Sequence, residues 1–189
     1  MANPHNPNNP IAVKHRNKGK LVASHNRDFN RIQDICDLFG FQVRCTEYID
    51  KNGKIRFCYQ GCEGAMPYKT KSVNIVDQKR KIDAGTVISI WWPRNIKKLN
   101  GTFVEKEPRE KYWINEIEQD DNVLLECPIA PADRKDHIDG FQNGLKMRVV
   151  IPDYPRIGYS FLGVYEIDES ESKKLNRAVW KRISTKFVL

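Results

Sequence analysis

Two hydrophobic periods alternate along the chain and divide it into elements. Over 28–39, Phe29, Ile32, Cys36 and Phe39 recur at helical spacing. An Asn or Asp precedes them and Gly40 follows, so the pattern predicts a helix. After Gly40 the period drops to two, with Phe41, Val43 and Cys45 alternating with Gln42, Arg44 and Thr46. Lys51-Asn52-Gly53 then marks a hairpin turn, because Asn-Gly tolerates positive φ. The return strand is 55–60, with Ile55, Phe57 and Tyr59 on one face. Residues 61–84 show no clear period. Rich in Lys, Gly, Pro and Ser, they read as a long loop, alone or with a short helix, and a loop of that length is usually functional. Residues 86–92 read as a strand with Ile88, Ile90 and Trp92 on one face and Val87, Ser89 and Trp91 on the other. Asn100-Gly101 marks another turn. Strands are expected at 123–127, 145–151, 159–167 and 178–183, and the polar stretch 168–176 reads as a loop or short helix. Together these give an α+β, mostly β domain with one good helix, built as a curved sheet or barrel.

Composition narrows the class. The chain has 189 residues, the size of one domain, and no internal repeat. With 40% hydrophobic and 30% charged residues the balance is globular. No apolar run reaches the roughly 18 residues of a membrane helix. Residues 1–10 hold three prolines and four asparagines, read as disordered, and lack the apolar core of a signal peptide. Five cysteines are an odd number, which argues for reduced thiols in a cytoplasmic protein. Cys45, Cys58 and Cys62 lack paired spacing and a nearby histidine, so neutral thiols are favoured over a zinc site.

Charge sharpens this. The net charge is +8, from 32 basic and 24 acidic residues. Residues 1–27 carry Lys14, Arg16, Lys18, Lys20 and Arg27 and no acid. The expected organisation is a flexible basic arm, 1–27, before a single domain, 28–189. Such an arm suits phosphate contacts, and equally a solvated tail. No nucleophile elbow, P-loop, zincin or dinucleotide motif is present, and no cofactor is implied. Asp77 and Lys79, or Glu105 and Glu107, are the sparse material for a metal-dependent nuclease. Tyr48, Tyr59, Tyr68, Trp91, Trp92, Tyr112 and Trp113, interleaved with Lys and Arg, suit a flat ligand such as a base, or the wet edge of a β core.

The last third carries a resemblance. Stretches 145–151 (Leu-Lys-Met-Arg-Val-Val-Ile), 158–167 (Gly-Tyr-Ser-Phe-Leu-Gly-Val-Tyr-Glu-Ile) and 178–183 (Ala-Val-Trp-Lys-Arg-Ile) resemble the SRA (SET- and RING-associated) domain. Gly163, Tyr165 and Trp180 match its Gly, Tyr and Trp, while Leu162 stands where the family has Asp. Glu47-Tyr48-Ile49-Asp50 and Tyr59-Gln60-Gly61-Cys62-Glu63-Gly64 resemble its pocket segments in the right order, and Asp77-Gln78-Lys79 recurs downstream. Residues 33–39 are similar to the start of bacterial SRA-like domains found with HNH nucleases.

The resemblance implies a PUA-like curved barrel with one or two flanking helices. It implies a reader that flips a modified cytosine out of double-stranded DNA. Tyr48 and Tyr59 would stack on the base, and Asp50 would accept from its exocyclic amine. Gln60 and Cys62, in place of the family's Thr and Ser, leave methyl, hydroxymethyl or a bulkier substituent open. Trp91 and Trp92 are placed with this pocket. Lys14, Arg16, Lys18, Lys20, Lys69, Lys71, Lys79, Arg80, Arg94, Lys97 and Lys98 would meet the DNA backbone. No catalytic residue and no metal is expected. The last motif lies close to Leu189, so cleavage is assigned to a nuclease partner, as in a modification-dependent restriction system. The expected setting is the cytoplasm, at the nucleoid, with no membrane contact. An RNA-binding PUA-like module and a small nuclease are the alternatives.

Overall fold

The computed structural model describes residues 20–23, 29–41, 44–49, 51–60, 65–77, 80–93, 96–98, 113–118, 120–140, 145–152 and 158–189; over 44–48, 56–60 and 97–98 it describes the backbone. The chain opens with β1 (Lys20–Val22), α1 (Ile32–Phe39), and the hairpin β2 (Arg44–Ile49) and β3 (Ile55–Gln60). Next come β4 (Ala65–Lys69), β5 (Asn74–Ile75), β6 (Lys81–Ile82), β7 (Val87–Trp91), β8 (Lys97–Lys98), β9 (Trp113–Ile117) and β10 (Val123–Pro128). Then follow α2 (Pro131–Gly140), β11 (Met147–Val150), β12 (Gly163–Ile167), α3 (Glu169–Leu175), β13 (Ala178–Ser184) and β14 (Lys186–Val188).

One eight-stranded sheet organises the body, in the order β4-β7-β11-β12-β13-β10-β9-β8. It curls into a half-barrel. Two pairings are parallel, β11 with β7 and β8 with β9; the others are antiparallel. Each face of the sheet packs its own apolar cluster. Ile88, Ile90, Trp92, Val149, Ile151 and Val164 face the larger one, with Phe29, Phe39, Tyr68 and Phe187. The residues between them face the other way, so Trp91, Val150, Tyr165 and Trp180 build the second cluster with Ile117 and Leu124.

Several expectations hold. Gly40 caps α1 at φ 71°, and its N–H donates to Asp37. The Asp34 carboxylate accepts from the Arg31 N–H at 3.0 Å and closes the first turn. The hairpin turns at Gly53, φ 73°. The α+β, mostly β class stands.

Other expectations are corrected. Phe29 precedes the helix; it is fully buried and bridges to Tyr159 through two backbone hydrogen bonds of 2.9 and 2.7 Å. The stretch expected as a loop holds strands β4, β5 and β6. Proline in β4 is compatible with a strand because β4 lies at the sheet edge, where Pro67 removes no ladder bond that another strand needs. Three helices are described; α3 falls on the stretch read as a loop or short helix, while α2, β8, β9 and β14 were not anticipated. Residues 20–23 belong to the folded body, not to an arm: β1 pairs with β14, and Leu21 sits in the larger cluster.

Candidate nucleic-acid interface

The hairpin β2–β3 carries the residues expected to read a base. Its register pairs Ile49 with Ile55, Tyr48 with Arg56, Cys45 with Tyr59 and Arg44 with Gln60. Directly opposite residues share a face and successive rungs alternate. Tyr48 therefore shares a face with Arg44, Arg56 and Gln60. Tyr59 lies on the other, with Cys45, Ile49 and Ile55. A two-residue loop at Asn52-Gly53 would have paired Lys51 with Lys54 and put both tyrosines on one face. The observed loop is longer, and the one-residue change of register separates them. Asp50 and Cys62 lie outside the described residues.

From β3 the chain enters β4, whose first residue, Ala65, pairs with Trp91 and packs on the second cluster. Trp91 and Trp92 themselves are 5% and 1% exposed, each within an apolar cluster. They are core residues, because alternation sends one to each face of a sheet covered on both sides. Tyr68 is also core, edge-on to Phe39 at 5.1 Å.

The basic residues divide similarly. Lys20, Lys69 and Lys71 are exposed. Lys97 and Lys98 form β8, at the opposite sheet edge from β4. The Arg80 guanidinium is engaged by Glu166 at 2.7 Å. Lys14, Arg16, Lys18, Lys79 and Arg94 fall outside the described residues. Of the nuclease material, Asp77 accepts from the Arg80 backbone N–H at 2.6 Å and closes the β5–β6 turn. Lys79, Glu105 and Glu107 lie outside the described residues. Among the described residues no group of three His, Cys, Asp or Glu is placed to hold a metal. No helix among them is long and apolar enough to cross a membrane.

Beneath this surface lies a charged cluster that motif reading missed. The Arg148 guanidinium sits between the Trp91 and Trp180 rings, 4.4 and 4.1 Å from their centroids. Its Nη1 donates to Glu126 Oε2 at 2.7 Å, and Trp180 Nε1 donates to the same oxygen at 3.2 Å. His137 Nε2 stands 3.6 Å from it, and Trp113 meets the His137 ring edge-on. Burial alone would raise the Glu126 carboxyl, but the Arg148 charge and the His137 contact hold it below the ordinary carboxylate range. The available signal was one charged residue inside each of two apolar strands, Arg148 among Met147, Val149 and Val150, and Glu126 between Leu125 and Cys127.

The motif residues of the last third serve this same face. The Tyr165 hydroxyl donates to the Asp121 carbonyl at 2.5 Å, tying β12 to the β9–β10 turn, and burial raises its pKa. Gly163 has φ +152°, and a Cβ there would lie 2.6 Å from the Ser184 carbonyl oxygen. A side chain is therefore excluded where the β12–β13 register shifts. Leu162, in place of an acid, packs against the second cluster.

Comparison with known proteins agrees with this architecture. Among solved structures, the 5-hydroxymethylcytosine-specific restriction enzyme AbaSI matches with a TM-score of 0.50 at 20% identity. The match covers 93% of this chain and 44% of that one, so this chain spans less than half of its length. Curated protein sequences give no match. The family model for the SET and RING associated domain matches residues 14–189. The protein belongs to the SRA (SET and RING associated) domain family.

Proposed function

We propose that the protein reads a modified cytosine in double-stranded DNA by extruding the base beside the β2–β3 hairpin. The observation that carries this is the family match over 14–189, with Tyr48, Asp50, Tyr59 and Gln60 falling on or next to one hairpin. Extrusion costs a few kcal/mol of lost stacking and pairing. An aromatic stack of about 1–3 kcal/mol per base, and hydrogen bonds to the base edge, offset that cost. Asp50 accepts from the exocyclic amine, and Gln60 and Cys62 meet the 5-substituent. Exposed lysines, including Lys20, Lys69 and Lys71, contact phosphates and make affinity salt-dependent. The protein acts as the recognition component of a modification-dependent defence system in the cytoplasm. Cleavage comes from a nuclease partner rather than from a centre in these residues. Hydroxymethylcytosine is the first substituent to try, since the similar restriction enzyme is specific for it.

The test is a fluorescence-polarisation titration at fixed salt. One duplex carries C, 5-methyl-C, 5-hydroxymethyl-C or glucosylated hydroxymethyl-C at one position, with an RNA version beside it. A preference of about tenfold or more for one modified duplex is expected, the size of one good stack or hydrogen-bonded edge. Equal binding to all five refutes the reading, and preference for RNA selects the RNA-binding alternative.

A further inference from the structure

Four short strands form a layer over the larger apolar cluster. β1 pairs with β14, and β5 pairs with β6. β5 is fastened beside β14, since the Asn74 amide donates to the Val188 carbonyl and the Ser184 hydroxyl donates to the Val76 carbonyl. Leu21, Phe187, Val76 and Ile82 point inward and join the cluster. Alternation therefore turns Val22, Lys186, Val73, Ile75 and Lys81 outward. Val22, Val73 and Ile75 are 46%, 50% and 42% exposed, and both lysines are exposed. Directly opposite residues share a face, so Val22 lies beside Lys186 and Ile75 beside Lys81. The face ends at Lys20, which the proposed reading gives to phosphates. The four strands hold no acid. Asp77 and Asp83 lie past the ends of β5 and β6, and Asp77 is engaged by the Arg80 backbone N–H. On α3, β13 and the approach to β11 the pattern differs: Lys174, Lys181 and Lys146 each meet an acid of this chain, Glu171, Asp168 and Glu169. Lys81 and Lys186 have no acidic partner among the described residues.

We infer that this face docks the nuclease partner, through a segment whose aliphatic side chains are framed by carboxylates. The inference rests on the proposed reading, in which cleavage comes from a partner, and adds to it the surface that holds that partner. Adjacent exposed aliphatic side chains rimmed by charge are the composition of a protein-binding patch, because they gain by leaving water only against apolar groups. Carboxylates complement the two ammonium groups, fix the register of the segment and exclude basic partners. A DNA backbone meets the lysines but leaves Val22, Val73 and Ile75 without apolar contact. A second copy of this chain, docked about a two-fold axis, sets lysines against lysines.

The test titrates three fluorescein-labelled peptides by fluorescence polarisation at fixed salt, built of repeated Glu-Val, Lys-Val or Glu-Ser pairs. Wild type is expected to bind the Glu-Val peptide about tenfold or more tightly than the other two. Val22→Thr/Ile75→Thr keeps the branched shape that suits a strand and is expected to lose about tenfold for that peptide. Lys81→Glu/Lys186→Glu is expected to turn the preference to the Lys-Val peptide. An unchanged thermal midpoint confirms the fold of each variant. Equal binding of the three peptides by wild type overturns the inference, and so does wild-type affinity for the Glu-Val peptide in either variant. Duplex titrations complete the test. Lys81→Ala/Lys186→Ala is expected to leave the salt slope of DNA binding unchanged; a fall of about two units shows that the face holds DNA, and overturns the inference. The preference of wild type for a modified duplex judges the reader and the peptides judge this face, so a failure of one is distinct from a failure of the other.

Discussion

Replacing Arg148 with methionine removes one charge from the interior and leaves Glu126 behind. The two side chains are 11% and 8% exposed and meet at 2.7 Å, so water screens the pair little. Removing one member of a buried pair costs about 3–5 kcal/mol, mostly the desolvation of the orphaned charge. The guanidinium also lies against two tryptophan rings, each contact contributing about 1–2 kcal/mol where water is excluded. Methionine keeps the volume and part of the ring contact, so about 3–5 kcal/mol is the expected total. For a chain of this size that lowers the thermal midpoint by about 6–20 °C. Adding Glu126→Gln removes the stranded charge and keeps an acceptor for Trp180 Nε1. The double variant should regain about 2 kcal/mol or more. Urea unfolding followed by tryptophan fluorescence measures all four corners of the cycle, since Trp91 and Trp180 flank the site. The pH dependence has a definite sign. The folded carboxyl is held below its ordinary 4.5, so its contribution is present above that value and lost as pH falls through the lower folded one. Wild type should therefore lose more stability between about pH 5 and 3 than Glu126→Gln does. A cost below about 1 kcal/mol for Arg148→Met, or additive single changes, refutes the account.

Gly163→Ala should lower stability by about 1–3 kcal/mol, visible as a lower urea midpoint with unchanged slope, because the new Cβ meets the Ser184 carbonyl at 2.6 Å and φ is positive. Tyr48→Ala and Tyr59→Ala should differ. Since the tyrosines lie on opposite ribbon faces, the one stacked on the base should lose about 5- to 150-fold of the preference for a modified duplex, and equal losses in titration would show that both touch it. Removing residues 1–19 takes away Lys14, Arg16 and Lys18; it should weaken all duplexes alike and reduce the salt slope by about 2–3. Removing residues 1–27 should in addition cost about 2–5 kcal/mol on urea unfolding, because Leu21 leaves the core.

Where the period was strong, the chain could be read directly. Gly40, Asn52-Gly53 and the alternation Ile88, Ile90, Trp92 each settled an element. Where several weak terms cooperate, it could not. Helix α2 buries only Ile138 and has no apolar stripe, and its local start signal, Pro131, is shared with many turns. Arg134 Nε donates to the Pro128 carbonyl at 3.1 Å, a contact back to the end of β10 that hydrophobic periodicity does not encode. Strand β4 was obscured by Pro67, which forbids only a central strand. The hairpin at the candidate site was legible, but the faces of its tyrosines were not. One residue of loop length decides them, and Asn-Gly is compatible with more than one length. Tyr165 and Trp180, which with Gly163 carried the resemblance, pack in the second apolar cluster.

The pairing of β1 with β14 has a mechanical consequence. Lys20 stands opposite Val188, and the strands run antiparallel from there. A pull applied between these two residues does not shear the ladder; it opens it one rung at a time, the geometry in which hydrogen bonds resist least. The clasp also fastens more than itself, since Leu21 and Phe187 pair within it and both sit in the larger apolar cluster. Tension that unzips these rungs therefore withdraws two side chains from the centre of the protein. A linker attached at either strand can in this way transmit force to the larger apolar cluster that packs against the eight-stranded sheet.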